Sequence, residues 1–225
     1  MIKKLSQEVI NQIAAGEVVE RPASVVKELL DNAIDANASK IDIRIKNGGI
    51  DYIEVSDNGI GIAKDDLPKA FEAHATSKIE NMEDLNDILS MGFRGEALST
   101  IVSVASVSIV SKEKAAGFGY SVHGEGIKVD DIVKSPRDQG TTVIVENIFK
   151  NIPARLKYLR AGSTEYRKIL EVLTPYFLIY PNIHFTFSHN GKQVYNLPRT
   201  LEKKSGELAE NRIQDVLKSD FTQDL

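Results

Sequence analysis

Residues 40–46, Lys-Ile-Asp-Ile-Arg-Ile-Lys, alternate polar and apolar without a break. Period-two alternation is the mark of a half-buried strand, covered on one face and wet on the other. After Gly48-Gly49 the pattern resumes from Asp51 to Ser56, so the two runs read as an antiparallel hairpin. Just upstream, Val25, Val26, Leu29, Leu30, Ala33 and Ile34 recur at helical spacing. Pro22 is tolerated in a first helical turn, where its missing N–H has no partner to lose, and the helix it opens runs to about Ala36. A chain with these elements in its first quarter builds an α/β core, and 225 residues suffice for one sizeable domain and the opening of a second.

The same reading extends along the chain. Ser6 caps a short helix carrying Val9, Ile10 and Ile13 and ending at Gly16. A helix is expected near Asp65 to Glu72, followed by a polar stretch without clean periodicity up to Arg94, of the kind that serves as a lid. Gly95 to about Ala105 reads as a further helix. Strands are expected at Val107 to Val110, Gly119 to Gly124, Ile127 to Lys134 and Thr141 to Val145. Ser163 to Tyr180 carries Tyr166, Ile169, Leu170, Leu173 and Phe177 at helical intervals, interrupted late by Pro175. His184 to Ser188 and Lys192 to Tyr195 flank Asn190-Gly191, a hairpin turn. After Pro198 the chain turns polar, which puts a boundary near residue 200: 1–200 as the main domain, 201–225 as a linker and the start of a second.

Several classes of chemistry fall away on composition. With no cysteine, disulfides, thiolate zinc sites and cysteine nucleophiles are excluded. A net charge of -4 speaks against a uniformly basic nucleic-acid coat. No run of roughly 18 apolar residues occurs, so no membrane helix is expected and the chain reads as intracellular, cytoplasmic or nucleoid-associated if bacterial. No Gly-x-x-x-x-Gly-Lys-[Ser/Thr] loop is present, and Gly59-x-Gly61 lacks the third glycine of a dinucleotide fold.

On the second helix Glu28, Asp31, Asn32 and Asp35 stand at i, i+3, i+4 and i+7, away from the apolar stripe. Three carboxylates and an amide either make a solvated face or offer hard oxygen ligands to a cation such as magnesium. Asp57-Asn-Gly-Ile-Gly-Ile62 ends the second strand. Asn-Gly alone is a tight turn, but a second glycine and an aspartate at the strand end also fit a backbone that approaches a ligand and an acceptor for an exocyclic amine. Gly92-Phe-Arg-Gly-Glu-Ala-Leu98 opens a helix with free N–H groups, either an ordinary glycine-bounded loop or an anion site. His74-Ala-Thr-Ser-Lys78 adds hydroxyls and an ammonium, and Gly140-Thr-Thr-Val143 opens an apolar strand. Lys150, Arg155, Lys157, Arg160, Arg167 and Lys168 form a cationic segment, a solvated helix or a nonspecific DNA surface.

The order of these pieces resembles the GHKL superfamily of gyrase B subunits, heat-shock chaperones, histidine kinases and MutL proteins. The local words resemble the MutL mismatch-repair ATPases: Gly16-Glu-Val-Val-Glu-Arg-Pro-Ala-Ser-Val-Val-Lys-Glu-Leu29, Asp31-Asn-Ala-Ile-Asp-Ala36, Phe71-Glu-Ala-His-Ala-Thr-Ser-Lys78, Gly92-Phe-Arg-Gly-Glu-Ala-Leu98 and Asn147-Ile-Phe-Lys-Asn-Ile-Pro-Ala-Arg155. The resemblance covers about residues 5 to 200. It implies an α+β two-layer sandwich of Bergerat type, a mixed, mostly antiparallel sheet with helices on one face.

The resemblance also implies an ATP site. Glu28 would orient the attacking water as general base and Asn32 would ligate Mg2+. Asp57 would accept from the adenine amino group, with Thr142 supporting it through water and Gly61 making room for the base. Asp35, Ala36, Gly59 and Ile62 would line the same site. Thr76, Ser77, Lys78, Gly92, Phe93, Arg94, Gly95, Glu96, Ala97 and Leu98 would close on the phosphates. Implied too are an ATP-dependent amino-terminal homodimer, MutS-type recognition partners, a downstream helicase or endonuclease, and nonspecific DNA contacts at Lys150, Arg155 and Arg160. Family members carry a second domain whose lysine reaches the γ-phosphate, so these 225 residues are expected to bind ATP and turn it over feebly. The competing reading is a nucleotide-gated assembly module of another GHKL family with negligible hydrolysis.

Overall fold

A computed structural model describes residues 19–73, 75, 95–200 and 212–216. The expected helix at residues 6–16 lies outside the described residues, as do residues 76–94. The upstream helix is α1 (Pro22–Asp35), with Pro22 at its first turn and Ala36 as its carboxyl-terminal cap. It is followed by β1 (Lys40–Lys46), a 3-10 turn at Asn47–Gly49 and β2 (Tyr52–Asp57), paired antiparallel in the register Ile43 to Val55. Then come α2 (Ala97–Val104), β3 (Ser106–Lys112), β4 (Gly119–Glu125), β5 (Lys128–Val129), β6 (Val133–Ser135) and β7 (Gly140–Glu146). A short helix α3 (Pro153–Tyr158), a long helix α4 (Gly162–Ile179) and the hairpin β8 (His184–His189) and β9 (Lys192–Leu197) complete the main body.

The strands form one open sheet in the order β5-β4-β3-β7-β2-β1-β8-β9, with β6 also on β4. Only the β1–β8 pair among them is parallel. Alternation decides which side is covered. Ile41, Ile43 and Ile45 of β1, Ile53 and Val55 of β2, Val107 and Ile109 of β3, Val143 and Val145 of β7 and Phe185 and Phe187 of β8 are all buried, and their neighbours are not. Onto that face fold Val25, Val26, Leu29 and Leu30 of α1 and Ile169, Leu173 and Phe177 of α4. The result is the two-layer α+β sandwich that the resemblance implied.

Three local expectations are corrected. The helix expected near Asp65 to Glu72 is two 3-10 turns, Lys64–Asp66 and Pro68–Phe71, because Pro68 has no N–H to continue an α ladder. The strand expected from Ile127 to Lys134 is split into β5 and β6, with the strand-averse pair Asp130-Asp131 between them. Conversely, Pro175 does not interrupt α4, which continues to Ile179. The packing of Leu173, Tyr176 and Phe177 outweighs a proline cost of about 3 kcal/mol. Beyond Thr200 the described residues 212–216 are helical and tucked against this body. Arg212 is buried and its guanidinium donates to the carbonyls of Phe177 (2.8 Å), Ile183 (3.1 Å) and Pro198 (3.1 Å).

Candidate active site

Asp57 ends β2 with its side chain on the helix-covered side, in phase with Ile53 and Val55. Its Oδ1 accepts two backbone amides, Gly59 at 2.7 Å and Thr141 at 3.3 Å. Among the described residues no cation hydrogen-bonds this carboxylate: Arg137 reaches instead the Asp57 backbone carbonyl, at 2.6 Å. Burial pushes the Asp57 carboxyl above its ordinary range, against the two amides and the more distant Arg137 charge. An acceptor held away from water, with both protein donors on one oxygen, is built to meet a donor from outside.

The turn that follows is fixed by its neighbours. Asn58 Oδ1 accepts the amides of Ser39 and Lys40, both at 2.9 Å, pinning the turn to the start of β1. Ile60 N–H donates to the Ala36 carbonyl at 2.9 Å, so the end of α1 and the Asp57 turn meet. A side chain at position 59 would stand 2.6 Å from that same carbonyl. Gly61 has φ +81°, and a Cβ there would stand 2.2 Å from the Lys112 carbonyl. Chain packing by itself therefore requires both glycines. Ile62 N–H donates to Ser111 Oγ at 2.8 Å, and Gln139 donates to the Gly59 carbonyl at 3.0 Å.

On α1, Glu28, Asn32 and Asp35 are half-buried in one column that leads down to Ala36 and the turn. Asp31 does not belong with them, which corrects the single acidic face read from the sequence. It is 2% exposed; Tyr176 of α4 donates to its Oδ1 at 2.5 Å and Lys27 to its Oδ2 at 2.7 Å. The remaining oxygen donors, an amide between carboxylates, suit a hard cation that keeps water and phosphate ligands. No group of three or more His, Cys, Asp or Glu side chains gathers as a metal cage among the described residues, and a magnesium ion held largely by phosphates needs none.

The two threonines of β7 turn their hydroxyls to opposite faces of the sheet. Thr142 was the residue expected beside Asp57, but its hydroxyl lies on the opposite face of the sheet, bonded to Ser56 Oγ at 2.8 Å and to Arg137. Thr141 shares the phase of Val143 and Val145, gives its amide to Asp57 and pairs its hydroxyl with Ser111 at 2.8 Å. The sequence reading missed Thr141, Ser111, Arg137 and Gln139. For Thr141 a signal existed in the parity of the strand.

Of the loop residues read as phosphate contacts, Thr76, Ser77, Lys78, Gly92, Phe93 and Arg94 lie outside the described residues. Gly95 has φ +61° and packs so closely on Ala75 that a Cβ would stand 2.7 Å from its carbonyl, which brings the two ends of that stretch together. Glu96 is the N-cap of α2 and makes no side-chain cap, and Ala97 and Leu98 are half-buried beside it. In the cationic segment Lys150 and Arg160 are exposed, but Arg155 is not a free surface charge. Its guanidinium stacks 4.1 Å from the Phe149 ring and donates to the Val19 carbonyl, and burial lowers its proton affinity. That corrects the reading of Arg155 as a DNA contact.

Known proteins resemble the chain in sequence and in fold. Residues 20–143, over half of the chain, match the family described as histidine kinase-, DNA gyrase B- and HSP90-like ATPases, and the chain belongs to that family. Over 99% of its length it is 44% identical to the DNA mismatch repair protein MutL of Pasteurella multocida, and over 86% it is 48% identical to that of Cellvibrio japonicus. The chain spans 37% and 31% of the length of those two relatives. The Aquifex aeolicus MutL ATPase domain complexed with ADP superposes with a TM-score of 0.72 at 28% identity, covering 89% of this chain and 70% of that one. Among the described residues no helix is long and apolar enough to cross a membrane.

Proposed function

We propose that the chain is the amino-terminal ATPase part of a MutL-type mismatch-repair protein, spanning about residues 1–200 with the next domain beginning beyond. The observation that carries this is the Asp57 carboxylate, withdrawn from water and held by amides on one oxygen. It accepts the amino group of adenine, which guanine, with a carbonyl there, cannot offer. Thr141, whose amide already touches Asp57, supports the same end of the base. Asn32 would hold magnesium, which when bound would neutralise charge on the phosphate oxygens. Glu28, one turn before Asn32, orients water for attack on the γ-phosphate. Backbone amides at Gly95 to Leu98, at the start of α2, hold the phosphates, and Thr76 to Lys78 and Gly92 to Arg94 are the further residues assigned to them.

Phosphoryl transfer needs positioning and charge stabilisation more than covalent help, so the α1 column and the turn can supply most of it. In the intact protein, nucleotide binding drives amino-terminal dimerisation and passes the change to MutS-type and downstream repair partners. Lys150 and Arg160 contribute a nonspecific phosphate-binding surface.

The test is a titration of a non-hydrolysable ATP analogue into wild type and Asn32→Ala, with and without magnesium. Magnesium-dependent binding that Asn32→Ala weakens at least tenfold is expected, and binding indifferent to both removes the assignment. Glu28→Ala is expected to bind the analogue normally and to lose turnover.

A further inference from the structure

Asp31 stands in the middle of α1, at the edge of the column read as facing the nucleotide, and is turned into the contact with α4. A buried carboxylate is a poor choice for packing alone, since apolar residues of similar volume are as good or better for stability. What it gives is direction. Its two oxygens are both taken, by the Tyr176 hydroxyl at 2.5 Å and by Lys27 at 2.7 Å, and the Tyr176 bond crosses from α4 to α1. Tyr176 is itself held: it is 9% exposed, stacks on Tyr180 at 6.1 Å, and follows Pro175 in a helix that continues through the proline.

Helix geometry shows what that bond governs. At roughly 100° per residue, Asp35, Glu28 and Asn32 fall within an arc of about 60° that begins about 40° from Asp31. Fixing the azimuth of Asp31 therefore fixes the azimuth of the whole column. Greasy contacts along Val25, Val26, Leu29 and Leu30 resist separation of α1 from the sheet more than rotation about its own axis. A rotation of about 20° carries a side-chain tip some 6 Å from the axis through roughly 2 Å, on a scale where about 1 Å of misplacement costs on the order of a hundredfold in rate.

We propose that Asp31 and Tyr176 are positioning residues for ATP turnover, their hydrogen bond locking the rotation of α1 so that Glu28 and Asn32 address the phosphate end of the nucleotide. The inference rests on the reading of Glu28 as the group that orients water. It does not concern adenine, which Asp57 holds from another element.

The experiment compares the intact wild-type protein with Tyr176→Phe, Asp31→Leu, their double variant and Glu28→Gln. Thermal midpoint, affinity for a non-hydrolysable ATP analogue and kcat with magnesium are measured for each. Tyr176→Phe, which keeps the ring, is expected to lower its midpoint but stay folded and to bind the analogue within about twofold of wild type, while kcat falls at least tenfold. The double variant is expected to be no slower than the slower single variant, since both remove one bond. An unchanged kcat in Tyr176→Phe with Glu28→Gln inactive overturns the positioning role alone. Parallel losses of affinity and kcat overturn it as well, because they mark general loosening. Turnover by Glu28→Gln at the wild-type rate overturns the underlying reading of Glu28, and the proposal with it.

Discussion

Asp57, at the end of β2, and Asp31, in the middle of α1, are both withdrawn from water, yet their surroundings differ in one decisive way. Asp31 is saturated by side chains: a phenol on one oxygen, an ammonium on the other. Asp57 is held by two backbone amides on a single oxygen and by no hydrogen-bonded cation among the described residues. Removing a carboxylate from water costs several kcal/mol, and each site offsets that cost differently. At Asp31 the compensation comes from within the fold, and the residue is an anchor. At Asp57 only one oxygen is compensated by hydrogen bonds among the described residues, and on the proposed reading the residue is a receptor. The same side chain in two electrostatic settings thus separates structure from recognition.

The largest effect expected from this contrast is on binding. Asp57→Asn preserves an oxygen for the amides of Gly59 and Thr141 but turns an NH2 toward the adenine amine. Affinity for an ATP analogue is expected to fall at least about a hundredfold by calorimetric titration, with the thermal midpoint held or raised. Loss of fold stability without loss of binding would reverse the roles assigned to the two aspartates. Asp31→Ala should act the other way. It strands the Tyr176 hydroxyl in the α1–α4 interface and is expected to cost roughly 2–3 kcal/mol in chemical denaturation, with analogue affinity changed less than about fivefold.

That division was only partly legible in the sequence. The alternation of β1 and the apolar stripe of α1 carried an α/β core, because periodicity reports which face is covered, while the two-layer sandwich was implied by the resemblance. Within Asp31-Asn-Ala-Ile-Asp35, however, the two aspartates look alike, since the partner that distinguishes them, Tyr176, arrives from 145 residues away. Gly59 and Gly61 were read as room for a ligand. Their positions also meet the Ala36 and Lys112 carbonyls, contacts that no local pattern encodes. Arg155 looked like one more cation in a basic run until Phe149, in the left-handed region at φ +62°, brought its ring under the guanidinium. Thr141 is the instructive case. Counting by twos from Val145 and Val143 puts it, and not Thr142, on the covered face, so the strand already held the answer.

Acidification gives a finer test of the same contrast. The folded Asp57 carboxyl has its proton affinity raised, chiefly by burial, so the ionised form is disfavoured in the fold. Its ionised form costs stability at neutral pH, and that cost is relieved as pH falls through the raised folded value toward the ordinary one of 3.8. Binding moves oppositely, because the acceptor is lost on protonation. Analogue affinity is therefore expected to decline on acidification at pH values above the usual carboxylate range, and Asp57→Asn is expected to lack that limb. A decline identical in Asp57→Asn would assign it to another group.

The smallest effect expected is at His189, which lies in β8, far along the chain from either aspartate. Its ring stacks on Tyr166 at 4.4 Å and its Nε2 accepts the Gly48 amide at 3.4 Å, an arrangement open only to a neutral imidazole. Burial accordingly lowers its proton affinity in the fold. A base whose folded value is depressed adds stability that is complete above the unfolded value, 6.5, and is lost as pH falls below it. Thermal melts between pH 8 and 5 should show that loss, and His189→Gln, able to accept the same amide through its side-chain carbonyl, should flatten it. Because this group lies apart from the Asp57 turn, the variant is expected to leave the acid decline of nucleotide affinity untouched, which separates an acid-sensitive fold from an acid-sensitive site.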